Sequence, residues 1–317
     1  MSDCTRRQFL ILAGRAALLG AAGGAVLTRR WAVPAALAQE GEPAAPAGGS
    51  PAMSVARGAD PAAITRAAIG ALGGMERFVH AGDDVIVKPN ICTDYHPPEY
   101  AATTNPIVVG TLVSMCLEAG AGRVRVMDRP FAGTPEPAYD ISGIASAVAA
   151  AGGEMEVMSP MKYVETAIPD GRDLTSCEIY QDILDANLVI NVPIAKTHSL
   201  ARLTLGGKNL LGTVHYASQL HRNLGQRVAD LVSLVRPALT VVDAVRILTA
   251  NGPTGGNLDD VKLTNTVIAS PDIVAADAYA ATLFGLTGAD IDYVRACADM
   301  GLGTLRLDTL KIEEISV

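Results

Sequence analysis

Apolar and polar positions along the chain come in blocks that alternate between helical and strand spacing. Residues 61–78 carry Ala, Ile and Leu at helical intervals behind Asp60 as a cap and Pro61 in the first turn, and Gly82-Asp83 turns the chain out. Residues 84–87 then read as a short, continuously apolar strand of the buried parallel type. Asn105-Pro106 opens a second helix that reaches about Ala119 before Gly120 and Gly122, and 124–128 follow as a second strand. Strand, helix and strand in this order predict a βαβ unit with parallel strands and a right-handed crossover. The pattern recurs: a helix near 141–151, strands at 155–158 and 188–192, a helix at 225–235, strands at 239–243 and 266–269, helices at 273–286 and 290–300, and a last strand at 309–315. The expected fold class is α/β, a mainly parallel sheet with helices on both faces, in which ligands collect at the carboxyl ends of strands.

Ahead of this alternation lies a different pattern. Thr5-Arg6-Arg7-Gln8-Phe9-Leu10 is a twin-arginine signature, and residues 11–27 are apolar but rich in Gly and Ala and broken by Arg15. That stretch suits a signal peptide better than a membrane span, and Ala36-Leu37-Ala38 supplies small residues for cleavage before Gln39. Retention of the stretch as an uncleaved anchor is the alternative. Residues 1–38 are therefore predicted to be a leader that engages the twin-arginine translocase and sends an already folded chain to the periplasm or beyond. Residues 39–54 are a Pro/Ala/Gly-rich linker expected to be disordered, and 55–317 form the folded α/β domain.

Charge and composition narrow the function classes. The 317 residues carry a net charge of −8. Without the five arginines and one aspartate of the leader, residues 39–317 carry −12, which argues against nucleic acid or an anionic membrane as the partner. With 4 Phe and 1 Trp, the core must be mostly aliphatic. Cys92, Cys116, Cys177 and Cys297 show no CxxC spacing, so neither an iron–sulfur cluster nor a structural zinc is indicated. One or two disulfides stay open, as three pairings are possible, while Cys116 and Cys297 fit helical core positions.

The candidate chemistry sits where apolar runs end. The strand at 84–87 leads into Lys88-Pro89-Asn90, and the strand at 188–192 leads into Pro193 and then Lys196-Thr197-His198. A lysine buried at a strand end is costly unless it meets an anion, so two of them point to a carboxylate or phosphate on a ligand. Pairing of each lysine with a local acid such as Asp94 or Asp128 is the alternative. Gly206-Gly207-Lys208-Asn209-Leu210-Leu211-Gly212 has the elements of an anion cradle without matching a P-loop; a plain tight turn at a helix start fits it equally. His198 shares a loop with Lys196 and is the candidate proton-transfer group, with His215 as a second candidate. Asp94 and His96 alternate on a loop after Lys88, but no third metal ligand has a diagnostic spacing. Asp243 ends a strand and the loop bearing Gly255 could close over a ligand, whereas Asp272 reads as a helix cap.

Taken together, Gly73-Gly74-Met75, Val87-Lys88-Pro89-Asn90, Asn191-Val192-Pro193, Lys196-Thr197-His198, Lys208-Asn209, Gly212, Asp243, Gly252-Pro253 and Asp277 resemble the domain of unknown function 362 family over nearly all of 55–317. Members of that family often carry an added ferredoxin segment with CxxCxxC spacing. This chain lacks it, so the resemblance implies fold and site location but no cluster, and the cofactor stays unspecified. Two functions fit these residues. One is an exported enzyme acting on a small anionic ligand or cofactor, with Lys88, Lys196 and Lys208 as the anion clamp, His198 transferring a proton, and Asn90, Gly207, Asn209, Asp243 and Gly255 binding. The other is a non-catalytic periplasmic protein that binds a ligand or matures a redox partner.

Overall fold

The computed structural model describes residues 51–317, so the leader at 1–38 and the linker as far as residue 50 lie outside the described residues. The folded chain begins slightly earlier than the expected boundary at 55. Strand β1 (Met53–Arg57) is already inside the sheet, and the Ser54 hydroxyl donates to the Ala68 carbonyl at 2.6 Å. The linker boundary at 54 is corrected accordingly; its last residues pair with neighbours far away in sequence, which no local composition reveals.

The remaining strands are β2 (Asp84–Pro89), β3 (Arg123–Val126), β4 (Glu154–Met155), β5 (Tyr163–Ala167), β6 (Ser176–Tyr180), β7 (Leu188–Val192), β8 (Ile194–His198), β9 (Arg202–Thr204), β10 (Leu239–Leu248), β11 (Val261–Ser270) and β12 (Ile312–Ser316). Ten of the described strands form one sheet in the order β12-β1-β11-β10-β7-β2-β3-β4, with β8 attached to β10 and β9 to β8, while β5 and β6 pair separately. The stretch from β10 to β4 is parallel throughout. Antiparallel pairs occur at β1–β11, β10–β11 and β8–β9, so the sheet is mixed and mostly parallel.

The strands β10, β7 and β2 of the parallel centre each feed two cores. Val85 and Val87 of β2 join an aliphatic cluster with the helices Pro61–Ala71 and Pro106–Glu118, whereas Ile86 joins the opposite cluster with Leu224–Val235 and Ile273–Thr282. The helix starts follow their sequence signals: Asp60, Asn105 and Asp272 accept from the amides of Ala62, Ile107 and Ala275 at 2.9 Å each. Glycines in left-handed backbone shorten two of the expected helices. The first ends at Ala71 ahead of Gly73 (φ 105°), and the helix expected at 141–151 starts only at Ile144, after Gly143 (φ 71°), with a separate short helix, Pro135–Ile141, ahead of it. The four described cysteines are all buried and free, so the disulfides left open by composition do not form.

A cleft with one unpartnered lysine

The carboxyl ends of β2 and β3 and the strand β8 that continues from β7 open onto a single cleft of about 410 Å³. It sits where α/β sheets build sites. Lys88, at the end of β2, is 1 % exposed. Its ammonium donates to Asp128 Oδ1 at 2.6 Å, to the Pro89 carbonyl at 3.0 Å and to Asn209 Oδ1 at 3.4 Å. Lys196 on β8, also 1 % exposed, donates to Asn90 Oδ1 at 2.9 Å and to the carbonyls of Ala102 and Pro253 at 2.6 and 3.0 Å. Asn90 in turn donates to Asn209 Oδ1 at 2.9 Å, and Asn209 to Asn191 Oδ1 at 2.8 Å. Two lysines from separate strands are thus joined through two asparagine side chains.

An ammonium has three donors, and both of these lysines spend all three on the chain itself. Neither has one left for a ligand. The expected direct role of Lys88 is corrected on this ground: it is paired with Asp128, one of the acids the sequence offered, and does not line the cleft. Burial disfavours the charged form of both members of that pair, lowering the Lys88 pKa and raising that of Asp128. Lys196 differs because its partners are neutral, so its charge acts on its surroundings uncancelled.

Lys208 is the exception. It lies on the single turn Gly206–Asn209, lines the cleft, is 8 % exposed, and its ammonium has no hydrogen-bond partner or counter-ion among the described residues. Burial, and then the charge of Lys196, push its pKa down to about 8. The glycines before it do not form the expected anion cradle. The amides of Gly206 and Gly207 donate to Asp277 at 2.6 and 2.9 Å, so the chain's own carboxylate fills the position a ligand would take. Burial raises Asp277 to about 7 against the opposing pull of those two donors. Gly207 is packed against Tyr293 rather than opened to the cleft.

His198 lines the cleft with a fixed tautomer. Its Nδ1 accepts from the amides of Leu200 and Ala201 at 3.1 and 3.2 Å, which leaves the proton on Nε2. Desolvation, followed by the charges of Lys208 and Lys196, lowers its pKa to about 3, so at neutral pH it is a neutral hydrogen-bond donor. That revises the expected proton-transfer role. Two further candidates stand away from the cleft lining. Asp243 accepts from the amides of Asn105 (2.7 Å) and Val245 (3.0 Å) and anchors the start of the helix Pro106–Glu118, with burial raising it to about 6. Gly255 packs on Leu248, and Pro253 is the residue of that loop that reaches the cleft. Asp94 accepts from the Thr134 amide and His96 stacks on Tyr100; no group of three metal-ligating side chains occurs among the described residues.

Several lining residues were not singled out in the sequence. Arg129 follows Asp128 beyond the end of β3 and donates to the carbonyls of His215 and Val214. The strand-end rule that selected Lys88 applies equally to it. Thr204, Cys92 and His221 also line the cleft, and nothing in their local sequence marks them.

Close packing underlies the network. A Cβ at Gly212 would stand 2.0 Å from Asp128 Oδ1 and 2.8 Å from Lys88 Nζ. Gly212→Ala is therefore expected to lose about 1–3 kcal/mol of stability, the usual range for overpacking, read by thermal or urea denaturation. A loss below a few tenths would mean that the pair has room to move aside.

Residues 85–282, which contain Lys88, Lys196, Lys208 and Asp277, match the model of the domain of unknown function DUF362. The chain belongs to the DUF362 family. This DUF362 chain is 30 % identical over 246 residues to the thylakoid-associated protein sll1697 of a Synechocystis species, covering 73 % of this chain and 72 % of that one. Among solved structures it is similar to the lactate racemase apoprotein of Thermoanaerobacterium thermosaccharolyticum (11 % identity, TM-score 0.45, 69 % of this chain and 54 % of that chain). A Thermotoga maritima protein is similar at 11 % identity and a TM-score of 0.37, with 78 % and 60 % covered. The DUF362 chain thus spans little more than half of either solved structure.

Proposed function

We propose that this protein binds a small anionic ligand in the cleft, with the Lys208 ammonium as the direct contact. The carrying observation is that a buried lysine keeps its donors free beside a second lysine whose charge no acid cancels. Holding such a group in a fold is unfavourable unless an anion meets it. Arg129 adds positive charge to the same cleft, and the surrounding chain is acidic, so the attraction is local to the site. His198 enters as a neutral Nε2–H donor, which supports ligand binding ahead of acid–base turnover at neutral pH. An anion on Lys208 relieves part of the repulsion that lowers the His198 pKa.

The titration of Lys208 supplies the test. Only its protonated form attracts the anion, and its pKa without ligand is about 8. Sulfate, whose charge is constant over this range, should bind with unchanged affinity from about pH 6 to 7.5. Its affinity should then fall, approaching tenfold per pH unit, as the pH rises beyond about 8. Calorimetric affinities that stay flat to pH 10, or that rise with pH, would remove Lys208 from the contact.

The leader supports a location. Arg6-Arg7 ahead of an apolar stretch is read as a twin-arginine address that exports the chain already folded, which allows a ligand to be loaded before export. No helix among the described residues is long and apolar enough to cross a membrane. A reporter fused to residues 1–50 should reach the periplasm of a bacterial host, and changing both arginines to lysine should abolish that transport; delivery unaffected by the double change would refute the assignment.

A further inference from the structure

The cleft is built from two chemically different halves. Its floor holds Lys208, Lys196, Asn90 and Thr204, whose hydroxyl is buried without a hydrogen-bond partner in a side chain 4 % exposed. Of the three buried hydroxyls without a partner among the described residues, those of Tyr163, Thr204 and Thr240, only Thr204 lines the cleft, where a polar ligand atom would satisfy it. The mouth is apolar and aromatic: Phe131 is 71 %, Leu200 67 % and Tyr216 56 % exposed, and all three line the same cavity. Large apolar side chains grouped around a charged floor mark a surface meant to be covered.

The aromatic part has a defined order. The rings of Tyr163 and His215 lie 4.7 Å apart at 20°, and those of His215 and Tyr216 lie 4.2 Å apart at 31°. His215 is fixed by Glu178 at 2.8 Å from its Nδ1, so the middle ring of the three cannot swing away. Tyr216 is the end of this stack and stands in the cleft wall. A flat ring entering the cleft would become the fourth member, in the offset geometry that aromatic rings prefer.

Resting on the anion-binding proposal for the same site, we infer that the ligand is an aromatic acid, with its carboxylate or phosphate on Lys208 and its ring continuing the Tyr163–His215–Tyr216 stack. The two parts of the cleft select the two parts of the ligand independently. The anion sets whether binding occurs, and the ring sets which anion is preferred.

Titration calorimetry of the full chain with benzoate, cyclohexanecarboxylate and acetate separates these contributions, because the three share one charge and differ in the body that carries it. Benzoate is expected to bind about 2- to 10-fold more tightly than cyclohexanecarboxylate, the range that ring stacking provides, and acetate most weakly. Tyr216→Ala, at an exposed position that leaves the fold intact, should bring benzoate and cyclohexanecarboxylate to equal affinity, and Lys208→Met should weaken all three. Equal binding of benzoate and cyclohexanecarboxylate that still depends on Lys208 would overturn the aromatic ligand while leaving the anion site standing. Benzoate binding that survives Lys208→Met, or binding of none of the three, would overturn both.

Discussion

Asp128→Ala is expected to destabilise the protein by about 3–5 kcal/mol, because it strands the Lys88 ammonium in a fully buried position. The carboxylate serves two partners at once: Oδ1 takes the lysine at 2.6 Å and Oδ2 takes the Ile91 amide at 2.6 Å. Removing it leaves two donors without an acceptor on the strand end that shapes the cleft. For a folded unit of this size the loss corresponds to roughly 6–20 °C in the melting temperature. Asp128→Asn, which keeps an acceptor, should lose less. The double variant Lys88→Met with Asp128→Leu should be closer to the parent than the single change suggests, since the cost lies in the unpaired charge. A loss below about 1 kcal/mol for Asp128→Ala would show that Lys88 releases its proton and tolerates isolation.

Lys208→Met should act in the opposite sense on stability while weakening the proposed anion binding. Loss of a charge-assisted contact worth about 1.5–3 kcal/mol weakens binding of an anion by roughly 10- to 150-fold. The same change removes a buried positive charge that repels Lys196, whose field is among the causes lowering the Lys208 pKa, so the ligand-free protein should melt at the same temperature or higher. This opposition between stability and binding is expected at sites and not at structural lysines. If Lys208→Met lowered the melting temperature while leaving sulfate affinity intact, Lys208 would be a packing residue and the anion site would have to be sought elsewhere.

The centre of the fold is legible in the sequence because it is local. The strand–helix–strand unit from β2 to β3, its proline-led helix and its Asn105 cap each depend on a few neighbouring residues. What escapes is of two kinds: β1 gains its order from strands more than 200 residues further along the chain, while the strands of the hairpins β5–β6 and β8–β9 are too short to show a clear period of their own. The helix expected to continue past Ala71 stops because glycine conformations, and not hydrophobic spacing, decide where helices end. The site shows the same division. The strand-end rule finds Lys88, Asn90 and Lys196, yet it cannot tell a lysine that meets a ligand from one whose three donors are already taken. Glycines ahead of Lys208 suggest backbone amides awaiting an anion, and only the fold reveals that Asp277, 70 residues further on, has reached them first. Of the residues that carry the family resemblance, Gly212, Asp243 and Asp277 hold the scaffold in place, which is why the motif locates the cleft without naming its occupant.

The manner in which Lys196 is held has a consequence for how an incoming molecule is received. An ammonium clamped by amide and carbonyl dipoles is immobilised but not neutralised, so its potential reaches into the cleft whether or not anything is bound. No internal salt link has to break when a guest arrives, and no side chain has to change allegiance. Under the proposed binding, a guest would therefore be received on a rigid frame, and its release would be governed by how well it fits.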